Sequence, residues 1–256
     1  MRWAAKMTYS LIAKDDTTGE IGIIVASRFF ACGAAVPYIG RLSAVATQAF
    51  VNPLWGTEGL RRLEEGAPAA EVIEDFIARD RGSAIRQCHM IDSIGDFATH
   101  TGVDCIEWAG HRVGASHSVA GNMLAGSEVV DATFETYASR TDLSMAERLL
   151  MAMRAGEEAG GDKRGRQAAG LLIHRGESHS YLNLRVDDHA DPLSELERLL
   201  DVAKERYLHV ADVMPTEANF SGTVDRGPID RAIAAEEERR NRESRLSRSH
   251  ATDHFH

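Results

Sequence analysis

Residues 21–26, Ile-Gly-Ile-Ile-Val-Ala, are apolar almost without interruption. The run is too short for an ordinary helix, and it lacks the alternation of a strand with one wet face. It reads as a strand buried on both faces, so the fold has to supply a covering layer on each side of its sheet. Residues 8–14, Thr-Tyr-Ser-Leu-Ile-Ala-Lys, precede it across the turn Asp15-Asp16-Thr17-Thr18-Gly19, and the two segments form a β-hairpin. The first strand of this hairpin starts at a hydroxyl residue directly after Met7. With translation from Met7 and loss of that methionine, Thr8 carries a free α-amine beside its own hydroxyl, an arrangement that makes a nucleophile with a built-in base. With translation from Met1, Thr8 is an ordinary strand residue.

Hairpins and helix pairs then alternate along the chain. Residues 57–65 read as a short helix after the turn Asn52-Pro53-Leu54-Trp55-Gly56, and residues 68–81 as an amphipathic one with Ala69, Val72, Ile73, Phe76 and Ile77 on one face. Residues 86–91 and 97–101 flank Asp92-Ser93-Ile94-Gly95-Asp96 as a second hairpin. A short apolar run at 117–120 follows. Helices are expected at 127–139 and 144–159, the latter opened by Ser144 and Glu147 at capping-box spacing. Residues 167–174 and 180–186 make a third hairpin around Arg175-Gly176-Glu177, and Asp191-Pro192 opens a helix with Leu193, Leu196, Leu199, Leu200 and Ala203 on one side. This order predicts an α+β domain over residues 8–210 in which two sheets pack face to face with helices outside each, an αββα sandwich. Residues 1–7 are an extension ahead of it. Residues 211–256 form a charged tail, and its last part, 236–256, is expected to be a frayed helix or disordered.

A chain of 256 residues with a net charge of -10 has no basic surface for phosphates, which argues against a nucleic-acid partner. Residues 1–6 carry basic groups with no apolar stretch behind them, and no run of eighteen apolar residues occurs, so neither secretion nor membrane insertion is expected, which leaves the cytoplasm as the expected location. Cys32, Cys88 and Cys105 lack ligand spacing and read as reduced, buried thiols. No metal or other cofactor is expected: Asp187, Asp188 and His189 draw a metal reading, but adjacent strand residues face opposite ways. Capping of the next helix by Asp191, with Asp187 or His189 bonding into the core, is the simpler account. The tail histidines His250, His254 and His256 read as a solvated terminus.

Three segments set polar groups beside glycine. The first holds Thr99-His100-Thr101-Gly102, Asp104 and Trp108-Ala109-Gly110-His111. In the second, residues 119–126, a strand runs into a helix, and backbone N–H groups there with the Asn122 amide either bind an oxyanion or make a plain tight turn. The third is Gly160-Gly161-Asp162-Lys163-Arg164-Gly165-Arg166-Gln167, which lacks the ending of a nucleotide loop; its charges suit a carboxylate-bearing substrate or the positioning of Asp162.

Together, Met-Thr-Tyr-Ser-Leu-Ile-Ala, Gly-Ile-Ile-Val-Ala-Ser-Arg-Phe-Phe, Ala-Thr-Gln-Ala-Phe-Val-Asn-Pro, Trp-Ala-Gly-His, Gly-Asn-Met-Leu-Ala-Gly, Gly-Gly-Asp-Lys-Arg-Gly-Arg-Gln and Arg-Val-Asp-Asp-His resemble domain-of-unknown-function family 1028 over about residues 8–207. That family is grouped with the N-terminal nucleophile (Ntn) hydrolases, so the resemblance implies their four-layer αββα sandwich. It also implies a homo-oligomer, in keeping with an exposed-looking cluster of Phe29, Phe30, Phe50 and Trp55. Thr8 matches the nucleophile position. Residues 25–28 resemble the proteasome-type segment, with Ala26 where that segment has an acid. Arg41 falls near the position of its lysine, and Asp162 near a supporting acid.

Two functions of different kinds remain open. In the first, the chain hydrolyses a small, anionic amide: Thr8 attacks, Gly121 and Asn122 stabilise the oxyanion, and Arg28, Arg41 and Asp162 set the electrostatics. In the other, the same cleft binds a small metabolite without turnover, and Ala26 and the six residues before Met7 favour this.

Overall fold

A computed structural model describes residues 8–161 and 165–251. The chain is a mixed α/β structure with two antiparallel sheets. Its strands are β1 (Thr8–Lys14), β2 (Ile21–Ser27), β3 (Pro37–Ile39), β4 (Ala44–Ala49), β5 (Arg86–Ile91), β6 (Phe97–Thr101), β7 (Trp108–Val113), β8 (His117–Leu124), β9 (Ala168–His174) and β10 (Leu182–Val186). The helices are α1 (Cys32–Ala35), α2 (Pro53–Glu64), α3 (Ala69–Arg79), α4 (Ser127–Ser139), α5 (Met145–Glu158), α6 (Pro192–Glu205), α7 (Tyr207–Ala211) and α8 (Gly227–Arg242). The larger sheet has six strands in the order β10-β9-β2-β1-β8-β7, and the smaller has four in the order β3-β4-β5-β6.

The predicted two-sided burial of residues 21–26 has a direct structural cause. Strands β1 and β2 are the middle of the six-stranded sheet, and every residue of β2 is buried. One face of β2 carries Ile21, Ile23 and Val25, which join Ile12 of β1 in a core shared with Ala44, Ala46 and Ile91 of the smaller sheet. The other face meets α5, where Gly22 has no room for a side chain: a Cβ there would sit 2.7 Å from Leu149 and 2.8 Å from Met145. Tyr9 faces the same way and donates its hydroxyl to the Met153 carbonyl at 3.0 Å. Helix α4 lies beside α5 and packs on β8 and β7.

The smaller sheet is divided in the same manner. Val45, Cys88 and Met90 point away from the larger sheet and pack with Trp55 and Leu63 of α2 and Val72, Ile73 and Phe76 of α3. Asp80, at the end of α3, ties these helices to β5. It accepts from Asn52 Nδ2 at 2.9 Å, Trp55 Nε1 at 3.0 Å, Arg86 Nε at 3.1 Å and the Gly82 backbone at 2.7 Å. Burial opposes ionisation of Asp80, but the bonds from Asn52, Gly82 and Arg86 outweigh it and hold its pKa down at about 2.

The three expected hairpins and the helices at 127–139 and 144–159 are present, and the capping box at Ser144 and Glu147 is formed. Several strands escape a reading based on periodicity. The polar segment at 108–111 beside glycine is part of the edge strand β7, and β3 and β4 lie in a stretch where periodicity predicts no element. Trp55 is only 2% exposed, and Phe29 is packed against the core, which leaves Phe30 and Phe50 as the exposed members of the supposed aromatic patch. Capping by Asp191 is seen in its bonds to the Ser194 backbone and hydroxyl. The companion expectation fails: Asp187 pairs with exposed Arg185, and His189 Nδ1 accepts from the Asp191 backbone.

The chain divides into two compact units, one reaching to Leu196 and one beginning at Glu197. Residues 211–256 read from the sequence as a charged tail, frayed or disordered over 236–256. The second unit instead contains α8, whose Arg240 is 5% exposed and is paired with Asp201, Glu205 and Glu236. Among the described residues no helix is long and apolar enough to cross a membrane, and no three His, Cys, Asp or Glu side chains cluster as for a metal ion.

Candidate functional site

Thr8 opens β1 and is directly opposite Ser27 of β2 on one side and Asn122 of β8 on the other. Cross-strand partners share a face, and Ser10, two residues along from Thr8, reaches Gln48 and His89 of the smaller sheet. Thr8, Ser27 and Asn122 therefore form a row that looks into the space between the sheets. All three are buried, at 4%, 1% and 1% exposure. Thr8 Oγ1 and Ser27 Oγ lie 3.0 Å apart, and Ser27 Oγ also accepts from the Phe29 backbone at 3.0 Å.

Behind this row runs a buried chain of amides, hydroxyls and one imidazole, whose donors and acceptors are fixed by backbone carbonyls. Gln87 Nε2 lies 2.8 Å from the Gly121 carbonyl and 3.1 Å from that of Gly110, so it donates, and Gln87 Oε1 must accept. That oxygen receives Gln48 Nε2 at 2.8 Å and Asn122 Nδ2 at 3.0 Å. Gln48 Nε2 donates also to the Ala120 carbonyl at 3.1 Å, which leaves Gln48 Oε1 to accept from Ser10 Oγ at 2.7 Å. The single proton of Ser10 is thereby used, and its oxygen accepts from His89 Nε2 at 2.8 Å. His89 Nδ1 then accepts from Ser118 Oγ at 2.6 Å. His89 is thus a neutral imidazole protonated on Nε2. Burial, with a smaller contribution from His111, pushes its pKa down to about 3, in agreement with this bonding. At the other end, Gln87 Nε2 reaches Thr101 Oγ1 at 2.9 Å, and Thr101 Oγ1 is 2.9 Å from His111 Nδ1.

The sequence-derived site residues separate into groups. Thr8 and Asn122 are brought together, with Asn122 Nδ2 3.3 Å from the Thr8 carbonyl oxygen. Gly121 lies beside them but inside strand β8, not at a helix start, and its carbonyl is taken by Gln87. An oxyanion pocket of Gly121 and Asn122 therefore does not form: the strand ladder uses the backbone here, and the Asn122 amide nitrogen is committed to Thr8 and Gln87. Arg28 is exposed and directly follows Ser27, at the same end of the sheet as Thr8. Arg41 is elsewhere. Its Nε donates at 3.2 Å to the carbonyl of Gly176, just beyond His174, which pairs with Ile21 opposite Lys14 at the far end of β1. At about 3.3 Å per residue this places Arg41 roughly 20 Å from Thr8. Asp162 lies outside the described residues.

No sequence motif marks Ser10, Ser27, Gln48, Gln87, His89 and Ser118 as site residues. A signal was present in the alternation Gln87-Cys88-His89-Met90, where polar side chains of β5 occupy one face and apolar ones the other, all of them buried.

A comparison with curated proteins found no match. Among solved structures, the crystal structure of protein SPO2555 from Silicibacter pomeroyi, itself described by the DUF1028 family model, is 30% identical to this chain with a TM-score of 0.78, covering 86% of this chain and 100% of that one. The family model DUF1028, a family of unknown function, matches residues 8–196. That match covers most of the chain, and the protein belongs to the DUF1028 family.

Proposed function

We propose that the chain is an amidohydrolase of the Ntn type, with its two sheets and their helices arranged as a four-layer αββα sandwich and with Thr8 as the nucleophile once the residues ahead of it are removed. The observation that carries this reading is the position of Thr8. It is the first residue of a central strand and of the family match, and its hydroxyl faces into the space between the sheets beside Ser27 and Asn122.

In this reading the freed Thr8 amine takes the proton from Oγ1 as the oxygen attacks the substrate carbonyl carbon. Collapse of the tetrahedral intermediate breaks the C–N bond, and the amine returns the proton to the leaving nitrogen. The acyl group is then held on Thr8 as an ester. Water, deprotonated by the same amine, attacks the ester carbon, the C–O bond to Thr8 breaks, and the amine passes its proton to Oγ1, which releases the acid and restores the site. The Ser27 hydroxyl, 3.0 Å away, holds Thr8 Oγ1 in place and can turn to the developing oxyanion. Arg28 at the same end supplies positive charge toward a small anionic substrate, while Arg41 is too distant to do so. His89, held neutral and bonded on both nitrogens, stiffens the floor of the site and moves no proton.

The competing reading, a module that binds a small metabolite without turnover, draws on Thr8 being 4% exposed and on its nitrogen lying within a peptide bond when the upstream residues are present. An amide nitrogen cannot take the hydroxyl proton, because its lone pair is delocalised. The two readings separate on one comparison. Forms beginning at Met1 and at Thr8 are assayed against small N-acyl amides whose acyl group carries a carboxylate. The hydrolase reading expects turnover by the Thr8 form, little by the Met1 form and none by Thr8→Ala. No turnover above the uncatalysed rate in any of the three favours the binding module.

A further inference from the structure

Asn122 Oδ1 is a buried oxygen that receives no hydrogen bond among the described residues, and Asn122 is only 1% exposed. Its orientation is over-determined. Asn122 Nδ2 faces two groups that can only accept there, the Thr8 carbonyl at 3.3 Å and Gln87 Oε1 at 3.0 Å, and the role of Gln87 is itself fixed by the carbonyls of Gly121 and Gly110. A flipped amide would set oxygen against two oxygens. The side chain therefore presents an acceptor, and burying such an oxygen without a donor is costly enough to point to a ligand of complementary chemistry.

We propose that Asn122 Oδ1 is the acceptor for an N–H of the α-amine freed at Thr8, so that Asn122 positions the base and does not bind the oxyanion. This rests on the Ntn reading above and reverses the role that the residue type first suggests. Asn122 is directly across the β1/β8 ladder from Thr8, on the same face, and its amide nitrogen already touches the carbonyl of that residue. A peptide nitrogen at Thr8 has one N–H, whereas a freed amine has two and its protonated form three. The additional donors appear on the residue directly across the ladder from an oxygen that, among the described residues, lacks one. When the amine takes the hydroxyl proton it becomes an ammonium, and a bond to Asn122 Oδ1 strengthens at that moment.

The surroundings isolate this effect. The partners of Thr8 across the sheet are Ser27 and Asn122, and Gln87 stands behind Asn122, none of which titrates. His89 on β5 is neutral, burial also lowers the pKa of His111 on β7, and Arg28 follows Ser27 on the exposed side. On the opposite face of β1, Glu157 of α5 pairs with Arg166.

The test is a pH titration of the Thr8 amine by NMR in the full-length form beginning at Thr8, labelled with 13C-threonine and without substrate. Wild type is compared with Asn122→Leu and Asn122→Asp. The inference expects the amine pKa to fall by about one unit or more in Asn122→Leu, where the acceptor is lost, and to rise in Asn122→Asp, where it gains charge. Identical pKa values in folded wild type and Asn122→Leu overturn it and assign the oxygen to a donor on the substrate. If the variants do not fold, wild type alone decides. An amine at or above the ordinary α-amino range of about 7.7 to 8.0 supports the inference, and one well below it, as burial without an acceptor would give, contradicts it. Because no substrate is used, this outcome is independent of whether the protein hydrolyses amides.

Discussion

The hydroxyl oxygens of Thr8 and Ser27 lie 3.0 Å apart across the first two strands, with neither side chain more than 4% exposed. Ser27→Ala removes a partner of Thr8 and the oxygen that accepts from the Phe29 backbone N–H. The expected cost is about 1 to 3 kcal/mol of stability by urea denaturation. In the form beginning at Thr8 the same substitution is expected to lower kcat while KM stays near its wild-type value, because the lost contact orients the nucleophile and does not hold substrate.

The His89 bonding makes stability depend on pH. In the folded chain the imidazole stays neutral down to about pH 3, while in the unfolded chain it takes a proton near 6.5. Between these values the unfolded state binds the extra proton, so stability falls as pH falls, by about 1.4 kcal/mol per unit from this residue. His117 and His174, whose pKa values burial also lowers, act in the same direction. Denaturation at pH 7.5 and pH 5 checks this: wild type should lose stability on acidification, and His89→Leu, though weaker at pH 7.5, should show a shallower slope. An unchanged slope would count against the neutral imidazole.

Much of this architecture can be read directly from the sequence. The continuous apolarity of β2 identifies a strand covered on both sides, and turn residues mark three hairpins, because those signals are local. The polar interior is harder to see. Gln48, Gln87 and His89 resemble solvent-facing residues of half-buried strands, and only the facing of one sheet on the other turns them inward to bond with Ser10, Ala120 and Gly121. Arg41 shows the converse. The resemblance to Ntn hydrolases implies nearness to Thr8, but the β3–β4 turn lies at the opposite end of the strands. Asn122 was legible as a site residue but not its polarity, which depends on which atom Gln87 offers it.

Gln87 should be the most costly single loss in this interior. It accepts from Gln48 and Asn122, and its two N–H groups are divided among Gly121, Gly110 and Thr101, one of them shared, so Gln87→Leu leaves several buried groups short of a partner. The expected destabilisation is about 3 to 5 kcal/mol, measured as a shift in the urea midpoint with the slope unchanged. A loss below 1 kcal/mol would mean that the network does not hold as described.

Asp80 offers an independent check on the helices that flank the smaller sheet. Its pKa of about 2 in the folded chain lies below the ordinary 3.8, so its stabilisation is present above pH 3.8 and is lost as pH falls through 2. Asp80→Asn is therefore expected to cost about 1 to 2 kcal/mol at pH 7 and progressively less in acid. A cost that does not vary with pH would contradict the assignment.

The central claim, that Thr8 acts through its hydroxyl and a free amine together, is tested most directly by covalent trapping. A small acyl epoxyketone bearing a carboxylate reacts with a hydroxyl and an adjacent free amine to close a ring, so it requires both groups on one residue. Intact mass and peptide mapping of the form beginning at Thr8 should show one adduct, on Thr8, with hydrolysis abolished in proportion. An adduct of equal yield on the form beginning at Met1, or on Thr8→Ala, would contradict the account.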